Sequence, residues 1–119
     1  MNDPKDVQPD SSPLSPAVFH VLLALAQGDK HGYAIMQDVA ATTEGRIRMG
    51  PGTLYGTIKR MLQAGLIIET DERPDPELDD ERRRYYRLTE LGSKAANTEA
   101  RRLASLVTVA RRRGLAVAH

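Results

Sequence analysis

The stretch Gly50-Pro51-Gly52-Thr53-Leu54-Tyr55-Gly56-Thr57-Ile58-Lys59-Arg60-Met61-Leu62-Gln63-Ala64-Gly65-Leu66-Ile67 decides the fold. Pro51 suits the first position of a helix, where its missing N–H is not needed, and Gly65 suits the left-handed conformation that closes one. Leu54, Ile58, Met61 and Leu62 recur at i, i+4, i+7 and i+8, which gathers them into one stripe for burial. The opposite side carries Thr53, Gly56, Lys59, Arg60 and Gln63. This is the profile of a helix that docks on a small core and offers hydroxyl, amide and cationic donors outward, as a groove-reading helix must. An ordinary amphipathic surface helix has the same profile, so neighbouring segments have to decide.

Working outward, Ser15-Pro16 supplies an N-cap and a first-turn proline for a helix that stops near Gly28. Val18, Val21, Leu22 and Leu25 form its main stripe, and Phe19, Leu23 and Ala26 add a second apolar flank, as expected of a helix covered on more than one side. A second helix is expected from about His31 to Thr42, with Gly32, Ile35, Met36 and Val39 inward and Gly45 breaking it. Beyond Gly65, Leu66 to Thr70 and Arg84 to Leu88 read as two strands of a hairpin. Tyr85 and Tyr86 alternate along the second strand, one expected inward and one bordering the hairpin. Thr89 opens a last helix that runs to Arg113, with Gly114 ending it. Its Ala96, Ala100, Leu103, Val107 and Ala110 are spaced 4, 3, 4, 3, an a/d seam with Leu106 beside it that predicts pairing with a second helix. The expected fold class is therefore mainly α (α+β), in the order α-α-α-β-β-α, a winged helix-turn-helix with a long C-terminal dimerisation helix. The expected division is a flexible arm over 1–13, a DNA-binding body over 14–88, the dimerisation helix over 89–113 and a short tail over 114–119.

The charges are unevenly placed. The formal net charge is +1, but seven carboxylates lie between Asp71 and Glu81 against one base, Arg73, and without that segment 16 basic residues stand against 9 acidic. The near-neutral total thus hides a basic body suited to a polyanion. At 119 residues the chain has room for one core, and it has no cysteine, which excludes disulfides and thiolate metal sites or nucleophiles. The polar start is no signal peptide, and the longest apolar run, Val21 to Ala26, is too short to span a bilayer, so a cytoplasmic protein without membrane contact is expected. His31, with only His20 and His119 besides it, forms no sensible ligand set. It reads instead as a helix-start residue making a local hydrogen bond. No paired carboxylates, Ser/His/Asp set or phosphate-cradling glycine loop is present, so neither an enzyme nor a cofactor or metal site is expected.

Arg82-Arg83-Arg84 is a compact cation cluster at a strand entrance, suited to phosphates or, on the blander reading, to pairing with Asp79, Asp80 and Glu81 beside it. Gly56 sits near the start of the third helix on its exposed line, where close approach to DNA would offset the cost of a helical glycine and neutral drift is the alternative. Arg111-Arg112-Arg113 suits the negative end of a helix.

Taken together, Leu22-Leu23-Ala24-Leu25, His31-Gly32-Tyr33-Ala34-Ile35, Gly52-Thr53-Leu54-Tyr55, Leu62-Gln63-Ala64-Gly65-Leu66-Ile67 and Arg83-Arg84-Tyr85-Tyr86-Arg87-Leu88-Thr89 make the chain resemble the PadR-like transcriptional regulators, in the short form with one C-terminal helix. The resemblance covers about Ser15 to Arg113. It implies a homodimeric bacterial repressor on a pseudo-palindromic operator, with the third helix in the major groove of double-stranded DNA, the wing on the flanking backbone, and a small-molecule effector among the expected partners. It also implies DNA contact by Thr53, Tyr55 and Thr57, with the Tyr55 ring packed and its hydroxyl on a phosphate, and by the wing residues Arg83 and Arg84. Arg48, Gly56, Lys59, Arg60 and Arg82 complete the expected DNA-binding set. A winged-helix module that binds protein rather than DNA is the alternative.

Two departures from the family stand out: the wing loop is longer and more acidic, and the last helix has no aromatic residue with which to build a stacking pocket. Seven carboxylates beside three arginines lower the local potential, and at physiological salt, with a screening length of about 8 Å, these neighbours still interact. Replacing Asp79, Asp80 and Glu81 by Asn, Asn and Gln is therefore expected to tighten binding to random-sequence DNA and narrow the specificity ratio, and unchanged non-specific affinity at low salt would contradict this.

Overall fold

The computed structural model describes residues 13–70 and 84–115. All of the expected arm over 1–13 except Pro13, the acidic segment with Arg82 and Arg83, and the last four residues lie outside the described residues. The described chain forms α1 (Pro16–Leu25), β1 (Lys30–His31), α2 (Gly32–Thr42), α3 (Pro51–Gln63), β2 (Ile67–Thr70), β3 (Tyr85–Leu88) and α4 (Glu90–Arg112).

Three of the four described helices start where a side chain can satisfy a free backbone N–H. The Ser15 hydroxyl accepts from the Val18 amide at 3.2 Å, His31 Nδ1 from the Ala34 amide at 3.2 Å, and the Thr89 hydroxyl from the Gly92 amide at 3.0 Å. His31 thus makes the local hydrogen bond expected of it. The α3 helix has no such side chain and opens instead on Gly50 and Pro51. Its end is closed by Gly65 at a φ of 77°, a conformation that a side chain would strain.

The core is a single cluster: Val21, Leu22, Ala24 and Leu25 of α1 meet Ile35 and Val39 of α2, Leu54, Ile58 and Met61 of α3, Ile67, Tyr86 and Ala95. The expected α3 stripe is the buried one, with Leu62 at its margin. The hairpin pairs Ile67 with Leu88 and Glu69 with Tyr86. It carries a third strand that the sequence did not announce, because β1 is only two residues long and too short for any alternation. β1 pairs Lys30 with Tyr86 and His31 with Tyr85, which puts β3 in the middle of the sheet. Both tyrosines are consequently buried, contrary to the expectation of one bordering the hairpin: Tyr86 joins the core, and Tyr85 meets the His31 ring edge-on at 5.3 Å.

Three polar links hold the ends of these elements. Arg87 on β3 grips Asp29 through Nη2 at 2.8 Å and Nε at 3.1 Å, fixing the loop after α1 to the sheet. The Lys30 ammonium donates to the Ala24 carbonyl at 2.6 Å, capping the end of α1. On α4, the buried Glu99 carboxylate accepts from Arg102 Nε at 3.0 Å and from the Leu14 amide at 3.4 Å, tying the approach to α1 onto the last helix.

The α4 helix lies close to the hairpin root. A Cβ on Gly92 would overlap the Leu66 carbonyl oxygen and stand 3.3 Å from Leu88 Cδ2, so only glycine permits this approach. Among the described residues no helix is long and apolar enough to cross a membrane.

Hydrogen bonding from Arg102, joined by the Leu14 amide and opposed by burial, holds the Glu99 carboxyl below its ordinary value of 4.5. Because the folded value is the lower one, the stabilisation is present above the ordinary value and is lost as pH falls through the folded value. Thermal unfolding of the wild type is expected to lose stability in that acidic window more steeply than Glu99→Gln, and equal slopes would show that Glu99 does not couple folding to pH.

Candidate nucleic-acid interface

The outward side of α3 is built by its inward side. With Leu54, Ile58 and Met61 held in the core, Thr53, Lys59, Arg60 and Gln63 are exposed and Gly56 is half-buried. A Cβ on Gly56 would meet nothing closer than Arg60 Nη1 at 3.7 Å, so no internal contact requires glycine there. Arg60 reaches back along the helix, its Nη2 donating to the Thr57 hydroxyl at 3.3 Å. Arg48, on the segment leading into α3, is exposed.

Two expected contacts change. Thr57 has 0% exposure, and its hydroxyl donates to the Thr53 carbonyl at 2.8 Å, so it faces the core and presents nothing to a groove. The signal was present in the spacing, since Thr57 lies three residues after Leu54 and four before Met61, on the buried side of the wheel. Tyr55 is 48% exposed, but its hydroxyl end is turned onto the first residue of α2. A Cβ on Gly32 would collide with that hydroxyl and stand 2.8 Å from Cζ. The phenol therefore occupies the space that Gly32 leaves, and sets how closely α2 and α3 approach. This contact explains why a glycine stands in the His31-Gly32-Tyr33 segment when a tyrosine stands in Gly52-Thr53-Leu54-Tyr55.

At the hairpin, Arg84 and Glu69 approach to 3.7 Å with side chains 74% and 45% exposed, a pair weak enough to exchange for a phosphate. Arg84 thus has a partner on the facing strand, while the neighbouring acids considered for it lie outside the described residues. Burial pushes the Tyr86 phenol above its ordinary value of 10.0, Glu69 and Tyr55 push it the same way, and Arg84 opposes them. Tyr86 therefore stays neutral near the junction of hairpin and α3. No group of His, Asp and Glu residues suited to a metal occurs among the described residues.

Of the expected pairing residues on α4, Ala96 packs against the chain's own core, whereas Ala100 is exposed and Leu103 and Ala110 are half-buried. Leu106 and Val107, 52% and 40% exposed, project from the free half of the helix together with Val109 at 37%.

The model of the transcriptional regulator PadR-like family matches residues 21–98, two helices of the helix-turn-helix, the hairpin and the start of α4 included. The chain belongs to the PadR-like family. It is accordingly a transcriptional regulator with a DNA-binding winged helix, in a family of regulators rather than enzymes. One relative is the transcriptional regulator Rv3488 of Mycobacterium tuberculosis, 36% identical over 84 residues, which are 71% of this chain and 71% of that protein. An uncharacterised 37.1 kDa protein of transposon TN4556 in Streptomyces fradiae is also 36% identical over 86 residues, but the match spans only 22% of it. Among solved structures, a PadR family transcription regulator of Clostridium difficile superposes with a TM-score of 0.68 at 22% identity, covering 82% of this chain and 97% of that one. A transcriptional regulator of Clostridium thermocellum gives 0.67 at 24% identity over 81% and 87%. Both share the fold.

In this PadR-like chain the Gly32–Tyr55 contact is open to a double-mutant cycle. Gly32→Ala is expected to destabilise by about 1–3 kcal/mol through overpacking. Tyr55→Leu should remove most of that penalty, giving a coupling of at least about 0.5 kcal/mol in denaturant unfolding, and strictly additive effects would mean the two residues do not share the space.

Proposed function

We propose that the chain is a homodimeric repressor that reads a pseudo-palindromic operator with the outward side of α3. The observation that carries this is the division of α3 itself: its apolar stripe is consumed by the core, while Thr53, Lys59 and Arg60 are left facing out. In this reading Thr53 contacts base edges, Gly56 permits close approach, and Lys59 and Arg60 take groove-edge phosphates or bases. Arg48 and the wing arginines Arg82, Arg83 and Arg84 hold the backbone on either side.

Pairing follows from α4. Its first half is used by the chain's own body through Gly92, Ala95 and Glu99, while Leu103, Leu106, Val107 and Ala110 continue along the free half as a stripe wide enough for a second helix. Two copies related by a twofold axis would set two α3 helices on half-sites about 10 bp, or a multiple of that, apart. Repression is the expected consequence when such a site overlaps a promoter.

Leu103→Glu combined with Val107→Glu is expected to convert dimers to monomers in sedimentation equilibrium while far-UV circular dichroism stays folded. Lys59→Ala is expected to weaken binding to duplex DNA and to flatten the dependence of log affinity on log salt by about 0.9. A folded double-Glu variant that stays dimeric would remove the pairing role of α4, and affinity for DNA that is flat in salt would favour a protein partner.

A further inference from the structure

The α2 helix has an outward side as well as an inward one. Tyr33, Met36, Gln37 and Ala40 fall at i, i+3, i+4 and i+7, and with Arg48 and Met49 from the segment entering α3 they line one open cleft of about 410 Å³. Its two walls are held in place independently. The Thr43 hydroxyl donates to the Val39 carbonyl at 2.8 Å and accepts from the Ile47 amide at 3.0 Å, which sets the turn between α2 and α3. The Arg48 guanidinium lies over Gly45, with Nη2 3.1 Å from where a Cβ would stand, so the missing side chain of Gly45 makes room for it at the cleft edge. The floor is aliphatic: Met49 is buried, and Met36 packs against the core.

Three donors of different kinds open on this floor: the phenol of Tyr33, itself 57% exposed, the amide of Gln37 and the guanidinium of Arg48. Among the described residues none of the three has a side-chain hydrogen bond or ion pair within the protein. We propose that the cleft is a clamp for one nucleotide unit of a DNA backbone, the phosphate held by Arg48, Tyr33 and Gln37 and the deoxyribose face resting on Met36, Ala40 and Met49.

The chemistry favours this occupant. A phosphodiester brings an anion with several acceptors, which the three donors match, and beside it a sugar whose C–H face suits a thioether and methyl floor. A purely apolar ligand would leave the guanidinium unpaired, and a free phosphate would leave the floor unused. The place fits too: Met49 stands two residues before Pro51, so the cleft adjoins the exposed start of α3, and in helix-turn-helix proteins the first helix of the motif crosses the backbone of the strand being read. The clamp rests on the reading of α3 as the groove-facing helix, and it gives α2 a separate role: fixing the angle at which α3 enters.

The test uses the full chain and a mixed-sequence duplex of about three helical turns, with binding followed by fluorescence anisotropy across salt concentration. Arg48→Ala is expected to flatten the salt slope by about 0.9. Tyr33→Phe and Gln37→Ala are each expected to weaken binding by about three- to tenfold with the slope unchanged, as for neutral hydrogen bonds. Ala40→Glu, which sets a carboxylate in the cleft, should weaken binding more than Arg48→Ala. Tyr33, Gln37 and Arg48 are exposed, so melting curves of their variants should match the parent; Ala40 is half-buried, and its variant is compared by the same melting curve. If Lys59→Ala weakens binding while Tyr33→Phe, Gln37→Ala and Ala40→Glu do not, the clamp is wrong and α3 still faces DNA. If Lys59→Ala is silent as well, the α3 reading falls and the clamp falls with it.

Discussion

The structure turns on one knot of backbone contacts where α3, the hairpin and α4 meet. The Thr89 amide donates to the Leu66 carbonyl at 3.1 Å, the Thr89 hydroxyl donates to the Gly65 carbonyl at 2.6 Å, and Gly92 lies against Leu66 closely enough that no side chain fits. These groups sit just past the end of α3 and at the start of α4. A regulator that reads two half-sites needs a fixed relation between those two helices, since an error in either is doubled across a twofold axis. Here the relation is set by hydrogen bonds between main-chain groups and one threonine, which have little freedom to drift.

The second constraint is between α2 and α3. Tyr55 fills the space that Gly32 leaves, and its ring also lies near Tyr86 on the central strand. The start of α3 is thereby braced against the start of α2. A buried or half-buried aromatic side chain does this well because it has only two torsions to fix and a large area to pack. Tyr55 thus acts as a spacer between α2 and α3.

What could be read from the sequence and what could not follows from range. The caps at Ser15, His31 and Thr89, the α3 stripe, the Gly65 stop and the order of the elements depend on residues within one or two turns of each other, and those signals are local. β1 carried no signal, because two residues have no period. Tyr85 and Tyr86 were misjudged because alternation assigns opposite faces but does not say what covers each: the core covers Tyr86, and the His31 ring, brought in by β1, covers Tyr85. Thr57 was misassigned through its chemistry, since a hydroxyl reads as outward although a helix lets it bond the carbonyl four residues back and go inward. The needs of Gly32 and Gly92 are met by residues about 23 and 26 positions away, so nothing near either glycine announced them.

The free half of α4 has a mechanical consequence. A helix of 23 residues is about 34 Å long, and only its first half is seated on the body. Such an element is a cantilever: a tilt of about 10° where it leaves the body moves the tip of the free half, about 17 Å away, by about 3 Å, close to the rise of one DNA base pair. In a dimer of the proposed kind, any agent that bends α4 where it leaves the body, beyond Glu99, or grips it near Leu106, would shift the register between two reading heads by a whole step without touching either one. Leverage of this kind lets a small chain with a single core turn a local push into a mismatch with its site.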